Sequence, residues 1–388
     1  MGRGGRSSPG SHLRLLCCGA NVRPRHHVAG CCFLCGHDLT YLLCSYGARD
    51  VGSIGSMSYD ARPEFDLQEL VNEYGLGGVS SVHRAERGAV NENWIVRTAT
   101  RTVVVRRVSK SRTLDDIRFE HSFIRALGRK GFPYRLPKPL RTRTGRSVVA
   151  KNGRYVWLYP YIEGSNSQPR RNAIIPQMAH ALATAHKAAP RFTLRWRNAN
   201  PVALDHPWLL HTLRRLQLKV AHNQDEPHRF FRAHVQECIG ILEKFRCTRY
   251  SALPRLPIHG DLCKENLIFS GERLRGVIDF GHCCSDTAIR DITIALRYEC
   301  TKDRFKLDLH AARWFLEVYH EIKPLTREET DLIPAIAIAE SADLFRWKIF
   351  ELITGRTTAL PISELERSFK ALRWYNRHRR DIALALQM

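Results

Sequence analysis

His259-Gly260-Asp261-Leu262-Cys263-Lys264-Glu265-Asn266-Leu267-Ile268-Phe269, followed closely by Gly276-Val277-Ile278-Asp279-Phe280-Gly281, is the stretch on which the reading of this chain turns. An aspartate opens a polar loop, an asparagine follows five positions later, and a second aspartate lies in a later apolar run. The apolar runs at 267–269 and 277–280 are short and separated by polar and glycine residues, the pattern of two hairpin strands. Pairing them brings Asn266 and Asp279 to one end of the hairpin. A carboxylate and an amide oxygen placed together suit Mg2+, a hard cation that takes oxygen ligands and shares them with phosphates. Asp261 then sits across from the metal, placed to take a proton from an attacking hydroxyl. Positioning, neutralisation of phosphate charge and a base for the nucleophile are what phosphoryl transfer needs. The competing reading, in which both aspartates merely cap turns, leaves the asparagine and the spacing without a purpose.

Outward from this island the chain divides into two kinds of sequence. On the amino-terminal side, residues 65–74 fit a short amphipathic helix. Strand-like runs follow at Asn93–Thr98 and Thr102–Val108, joined by a polar turn at Ala99–Arg101. Ile117, Phe119, Phe123, Ile124 and Leu127 recur at helical spacing, and Val148–Ala150 and Val156–Tyr161 read as two more strands. Beyond Asn172 the pattern turns helical, with candidates at 174–185, 208–221, 228–245, 289–299, 309–322 and 335–353. The expected fold class is therefore α+β and bilobal, a small sheet-based lobe followed by a larger, mainly helical one.

The H-G-D-x4-N and I-D-F-G motifs, in this order and spacing, resemble those of the aminoglycoside phosphotransferase/choline kinase superfamily, and the resemblance extends over about residues 65–375. It implies a protein-kinase-like fold, with residues 57–162 as a nucleotide-binding lobe and 163–388 as a helical lobe carrying the catalytic loop and the substrate site. It implies ATP and Mg2+ as cofactors, Asp261 as catalytic base, and Asn266 and Asp279 as metal ligands. His259 would brace the loop, and Asp291 matches a structural aspartate near the start of the following helix. Gly88 to Asn93 resembles a nucleotide-binding turn, with Gly88 and Asn91 near the phosphates, where backbone N–H groups reach an anion. Arg106 stands where many relatives carry a lysine, with Arg107 as the register alternative, and its planar fork replaces a point charge. Glu120 would be its ion-pair partner. Trp157 to Gly164, with Tyr159 and Tyr161, matches the inter-lobe hinge that meets the adenine.

Within that superfamily the Gly88–Val108 arrangement and the Tyr-Ile-Glu-Gly hinge are most similar to homoserine-kinase-like enzymes, so the expected acceptor is a hydroxyl of a small amino alcohol. Aminoglycosides, choline, ethanolamine, methylthioribose and ketosamines are the alternatives. An aminoglycoside needs an acidic pocket, for which Asp286, Glu299, Glu340 and Asp343 are the candidates. A protein kinase is disfavoured: the loop reads H-G-D, no G-x-G-x-x-G precedes the third strand, and no A-P-E follows Asp279.

Composition limits the remaining classes. The 388 residues are 44% hydrophobic and 26% charged, which suits a globular chain with a sizeable core. Lys+Arg 61 against Asp+Glu 38 leaves +23, which draws anions and argues against a polycationic substrate. No apolar run is long enough to span a bilayer, and the stretch Cys31–Cys44 lacks a signal-peptide cleavage site, so a cytoplasmic protein with no membrane partner is expected. Residues 1–56 differ in composition, being rich in Gly, Ser, Arg and Cys, and read as a disordered leader or an over-long start before Met57. Cys32 and Cys35 there form one C-x2-C, short of a zinc site because no second well-spaced pair accompanies it. The rival of another class is a basic nucleic-acid-binding protein or a pseudokinase scaffold. It rests on the cations between Arg135 and Arg154 and on Arg373-Trp374-Tyr375-Asn376-Arg377-His378-Arg379-Arg380. No nucleic-acid motif accompanies them, so a nucleic-acid partner is not expected.

Overall fold

The structure is a computed structural model that describes residues 63–85, 91–165, 169–189, 206–244, 249–355 and 360–388. Residues 1–56, Gly88 and the C-x2-C of the leader lie outside these.

The amino-terminal lobe is a five-stranded antiparallel sheet in the order β1-β2-β3-β5-β4. Its strands are β1 (Val79–Arg84), β2 (Glu92–Thr98), β3 (Thr102–Arg107), β4 (Val149–Lys151) and β5 (Arg154–Pro160). Alternation sorts the side chains of β3 and β5 between two faces. Val103, Val105, Val156 and Leu158 pack with Trp94 and with Leu70 and Val71 of α1 (Leu67–Glu73). Val104, Trp157 and Tyr159 pack on the other face with Ile117 of α2 (Leu114–Arg129). Asp66 caps α1, and Thr113 and Asp116 form a capping box that starts α2. The far side of α2 contributes Phe119, Phe123, Ile124 and Leu127 to the core of the helical lobe, so this helix serves both.

The helical lobe comprises α3 (Arg171–Ala188), α4 (His206–Lys219), α5 (Glu226–Glu243), α6 (Ala288–Glu299), α7 (Leu309–Ile322), α8 (Arg327–Thr330), α9 (Ile333–Ile353), α10 (Ile362–Arg377) and α11 (Arg379–Ala385). Helix α9 is buried along almost its whole length and runs through the core, consistent with a helix apolar on all sides. No helix among the described residues is long and apolar enough to cross a membrane.

Between α5 and α6 lies the island read from sequence. Strand β6 (Arg255–Ile258) pairs with β9 (Cys284–Thr287), and β7 (Leu267–Ser270) pairs with β8 (Arg273–Val277). Both outer edges of the β7–β8 hairpin are clasped. Arg135, beyond α2, bonds along β8 (Arg135 N to Arg275 O 2.9 Å, Val277 N to Arg135 O 3.0 Å). Ser165, beyond β5, exchanges two bonds with Phe269 at 2.8 and 2.9 Å. Gly164, at φ +145°, permits this approach: a Cβ there would lie 2.6 Å from the Phe269 carbonyl oxygen.

The expected helices and sheet-lobe strands are present within a few residues of the bounds read from sequence, but the second hairpin strand is Arg273–Val277 and not 277–280, because the chain leaves the pairing after Val277 and turns left-handed at Asp279 into a 3-10 turn at Phe280–His282. Strand β1 went unread because Val79-Ser80-Ser81-Val82-His83-Arg84 lies on an edge and carries no buried alternation.

Candidate active site

The loop after β6 is held from beneath by α6. Asp291 accepts the backbone N–H groups of His259 (2.7 Å) and Gly260 (2.9 Å), one on each carboxylate oxygen. His186 Nε2 meets the same carboxylate at 3.1 Å, and the hydroxyl of Tyr319 lies 2.8 Å from His186 Nδ1. Burial opposes ionisation of Asp291, but its bonds to His186 and to the His259 backbone outweigh it and hold the carboxyl below its ordinary range. Gly260 has φ +79°, and a Cβ would sit 2.2 Å from the carbonyl oxygen of His282.

His259 braces the loop through its ring. Nδ1 accepts the backbone N–H of Asp261 at 3.3 Å, which leaves Nε2 to donate to the carbonyl of Ile278 at 3.1 Å. The ring packs 4.7 Å from that of Phe280, which in turn lies 5.7 Å from Phe123 of α2. Burial keeps the His259 pKa low, so the ring is neutral at pH 7.

Asp261 itself is 2% exposed. Its Oδ2 is approached by Asn266 Nδ2 at 3.3 Å, and Oδ1 accepts the hydroxyl of Tyr298 at 3.1 Å. Asn266 also donates to the Asp261 carbonyl at 2.8 Å. The carbonyl of Asn266 accepts the N–H of Ile278 at 2.9 Å, which extends the hairpin by one rung and sets Asp279 beside Asn266. Asp279 adopts a left-handed conformation (φ 58°, ψ 64°) and its Oδ1 accepts Gly281 N at 3.3 Å. A left-handed non-glycine residue outside a regular turn commonly marks a functional position.

The sheet lobe contributes the opposing charges. Arg106 Nη2 lies 2.9 Å from Asp279 Oδ1, and Nη1 lies 3.4 Å from Glu120 Oε1. Nε donates to Asn93 at 3.1 Å. Arg107 points to the other face of the sheet, where Glu64 and Glu92 hold it, so of the two it is Arg106 that meets Asp279. Glu120 is fully buried and paired a second time, by Arg112. Asn91 is buried, and its Oδ1 accepts the N–H of Ser109 at 3.1 Å. Tyr159 lies opposite Val104, its pKa pushed up to about 12 by burial, with Arg106 opposing that rise and Asp279 and Glu120 adding to it. Tyr161 is half-buried against the same cluster.

Arg112, Tyr298 and His186 were not read from sequence. Arg112 stands in a polar loop just ahead of the α2 cap, where no periodicity marks it. Tyr298 carries a signal that could have been used, since it lies seven residues after Asp291 and so on the same helix face.

The four acids considered as an ammonium pocket are engaged internally. Asp286 is met by Arg290 at 3.0 Å and by Tyr250, and Glu340 by Arg290 at 2.8 Å. Asp343 is held by Arg346 at 2.6 Å. Glu299 accepts the N–H of Lys264 at 3.1 Å, and burial raises its pKa. In the carboxy-terminal basic stretch Arg373 pairs with Glu237, and Tyr375 is buried.

Three histidines around the site make a pH prediction. Burial is the main cause holding His121, His259 and His282 below the ordinary histidine pKa, His282 at about 4. Unfolding returns them to about 6.5. Below that pH the unfolded chain binds protons the native rings refuse, so stability is complete above pH 6.5 and falls as pH drops. The slope approaches about 1.4 kcal/mol per pH unit for each ring. Urea midpoints should decline from pH 7.5 to pH 5, and equal midpoints would contradict neutral, buried rings.

The comparison with known proteins agrees with this geometry. Homoserine kinase of Agrobacterium fabrum is 24% identical over 301 residues, covering 78% of this chain and 89% of that protein. Among solved structures, an aminoglycoside phosphotransferase from Alicyclobacillus acidocaldarius superposes with a TM-score of 0.60 at 16% identity, covering 84% of this chain and 96% of that one. Amicoumacin kinase, solved with AMP-PNP and Ca2+, superposes at 0.58 with 14% identity over 82% and 94% of the two chains. These neighbours share the protein-kinase-like bilobal fold. The profile of the phosphotransferase enzyme family matches residues 81–325, more than half the chain, a span that includes Arg106, Glu120, Asp261, Asn266 and Asp279. This chain belongs to the phosphotransferase enzyme family and is a small-molecule kinase.

Proposed function

We propose that the chain transfers the γ-phosphoryl group of ATP to the hydroxyl of a small, singly ammonium-bearing acceptor of the homoserine type. The observation that carries this reading is the convergence of Asp261, Asn266 and Asp279 at one end of a hairpin, with Arg106 reaching in from the sheet lobe. In this reading Asp261 takes the proton of the acceptor hydroxyl as its oxygen forms a bond to the γ-phosphorus. The bond to the bridging oxygen breaks and ADP leaves. Arg106, anchored by Glu120, steadies the phosphates together with Asn91; Gly88, expected beside them from the sequence, lies outside the described residues. The backbone near Tyr159 and Tyr161 meets the adenine, and the lobes divide at about residue 162.

The donor set suits Mg2+. Because the amide nitrogen of Asn266 is committed to Asp261, its amide oxygen is the atom it would offer a cation, with the Asp279 carboxylate as the second protein ligand. Among the described residues no group of three or more His, Cys, Asp or Glu is placed to hold a metal, so the other ligands would come from phosphate and water, the usual arrangement for Mg2+. Such a cation supplies neutralisation of the phosphate charge. Support for nucleotide and divalent cation comes also from the amicoumacin kinase complex.

The acceptor class rests on two points. The curated relative named above is a homoserine kinase. Three of the four acids offered as an ammonium pocket, Asp286, Glu340 and Asp343, are already paired with Arg290 and Arg346, which disfavours an acceptor with many ammonium groups. The test is ADP release from Mg-ATP by the full chain with homoserine, ethanolamine, choline, methylthioribose, fructosamines and aminoglycosides, with Asp261→Ala as blank. Homoserine or a close amino alcohol should stimulate release in the wild type alone. Stimulation only by an aminoglycoside would overturn the acceptor class, and absence of Mg-ATP binding would favour a pseudokinase.

A further inference from the structure

Helix α6 delivers a second group to the catalytic loop. Asp291 and Tyr298 lie seven residues apart, two turns along one face and about 10.5 Å along the axis. The first holds the loop's backbone, and the second reaches the side chain of Asp261, its hydroxyl donating to Oδ1 at 3.1 Å. Tyr298 is half-buried, whereas Asp261 is buried.

The terminal torsion of an aspartate is broad and roughly two-fold, so packing of the Cβ alone does not orient the carboxylate. The Asn266 amide touches Oδ2 at 3.3 Å, a long contact that restrains one oxygen. The phenol restrains the other from a different element, and between them the carboxylate plane is set. A phenol has one proton to give and no charge, so it orients the carboxylate without neutralising it. Proton transfer requires the accepting oxygen within about 3 Å of the acceptor hydroxyl, and misplacement by about 1 Å costs about 100-fold.

We propose that Tyr298 is a positioning residue for phosphoryl transfer, its hydroxyl holding the Asp261 carboxylate in the orientation that receives the acceptor's proton. This rests on the reading of Asp261 as the base. It makes the carboxy-terminal turn of α6 part of the acceptor side of the cleft.

The test uses full-length wild type, Tyr298→Phe, Asp261→Ala and the double variant, with ADP release read for L-homoserine and for water alone as acceptors. Tyr298→Phe keeps the ring and loses only the hydroxyl. Its kcat should fall about 10- to 100-fold with KM for Mg-ATP within about twofold, a split that loss of packing alone would not produce. The double variant should be no slower than Asp261→Ala, because the two groups act as one unit. Unchanged kcat in Tyr298→Phe, or losses that multiply in the double variant, would overturn the proposal. Wild-type turnover in Asp261→Ala would instead remove the base reading, a result visible in that single variant. Urea midpoints of the same four proteins report the contact without any activity: they should be non-additive, and additive midpoints would refute the contact.

Discussion

Asp261→Ala should reduce turnover by about a thousandfold or more while leaving Mg-ATP affinity within about twofold. That loss corresponds to about 4 kcal/mol of transition-state stabilisation. The asymmetry follows from the contacts. Asp261 bonds to Asn266 and Tyr298, whereas the charged groups that the proposed function assigns to the nucleotide, Glu120 and Asp279, are each tied to Arg106. In that proposal, removing Asp261 deletes the proton acceptor and leaves the Arg106 cluster intact. Asp279→Ala, in the same titration, should instead abolish saturable Mg-ATP binding. Calorimetry and ADP release separate the two, and turnover in Asp261→Ala equal to wild type would remove it from the base role.

Gly260→Ala should be the most damaging single-methyl change in the loop, destabilising the chain by about 3 kcal/mol or more and abolishing turnover. Two costs add. A residue other than glycine at φ +79° is strained by about 1–3 kcal/mol. The new Cβ would also stand 2.2 Å from the His282 carbonyl oxygen, a contact that cannot be kept, and backbone has no rotamer with which to withdraw. Moving His282 pulls on Cys284, which pairs with Ile258 at the start of the same loop. Gly153→Ala is the matched control, with φ +71° and open space around the site. Urea unfolding should place Gly260→Ala well below that control, and equal midpoints would mean that the two strands can part at no cost.

What the sequence made legible was local. The hairpin, the loop spacing and the meeting of Asn266 with Asp279 follow from short apolar runs and turns, and the positions of α2 and α6 from periodicity. The choice between Arg106 and Arg107 was not local. Both lie on β3 with period 2, and which one faces the cleft depends on which side of the sheet α2 covers. Arg112 was hidden because it stands in a polar loop ahead of α2, where no periodicity shows that it turns back to Glu120. The pairing of Asp286, Glu340 and Asp343 with Arg290 and Arg346 was equally illegible: Asp286–Arg290 and Asp343–Arg346 are close enough in the chain to announce a possible contact but not whether solvent reaches them, and Arg290–Glu340 joins two helices.

The clasping of the β7–β8 hairpin on both edges has a consequence for how the enzyme comes into being. Its outer rungs are supplied by Arg135 and Ser165, residues far removed in the chain from Gly276 and Phe269. Helices α3 to α11 are local structures that form from neighbouring residues, but these rungs close long loops and bear the associated entropy. The hairpin itself, and with it the neighbouring of Asn266 and Asp279, joins residues close in the chain, whereas its tie to the sheet lobe joins residues far apart. The entropic cost of the island therefore lies in that tie, in the closure of loops and not in the formation of helices or of the hairpin.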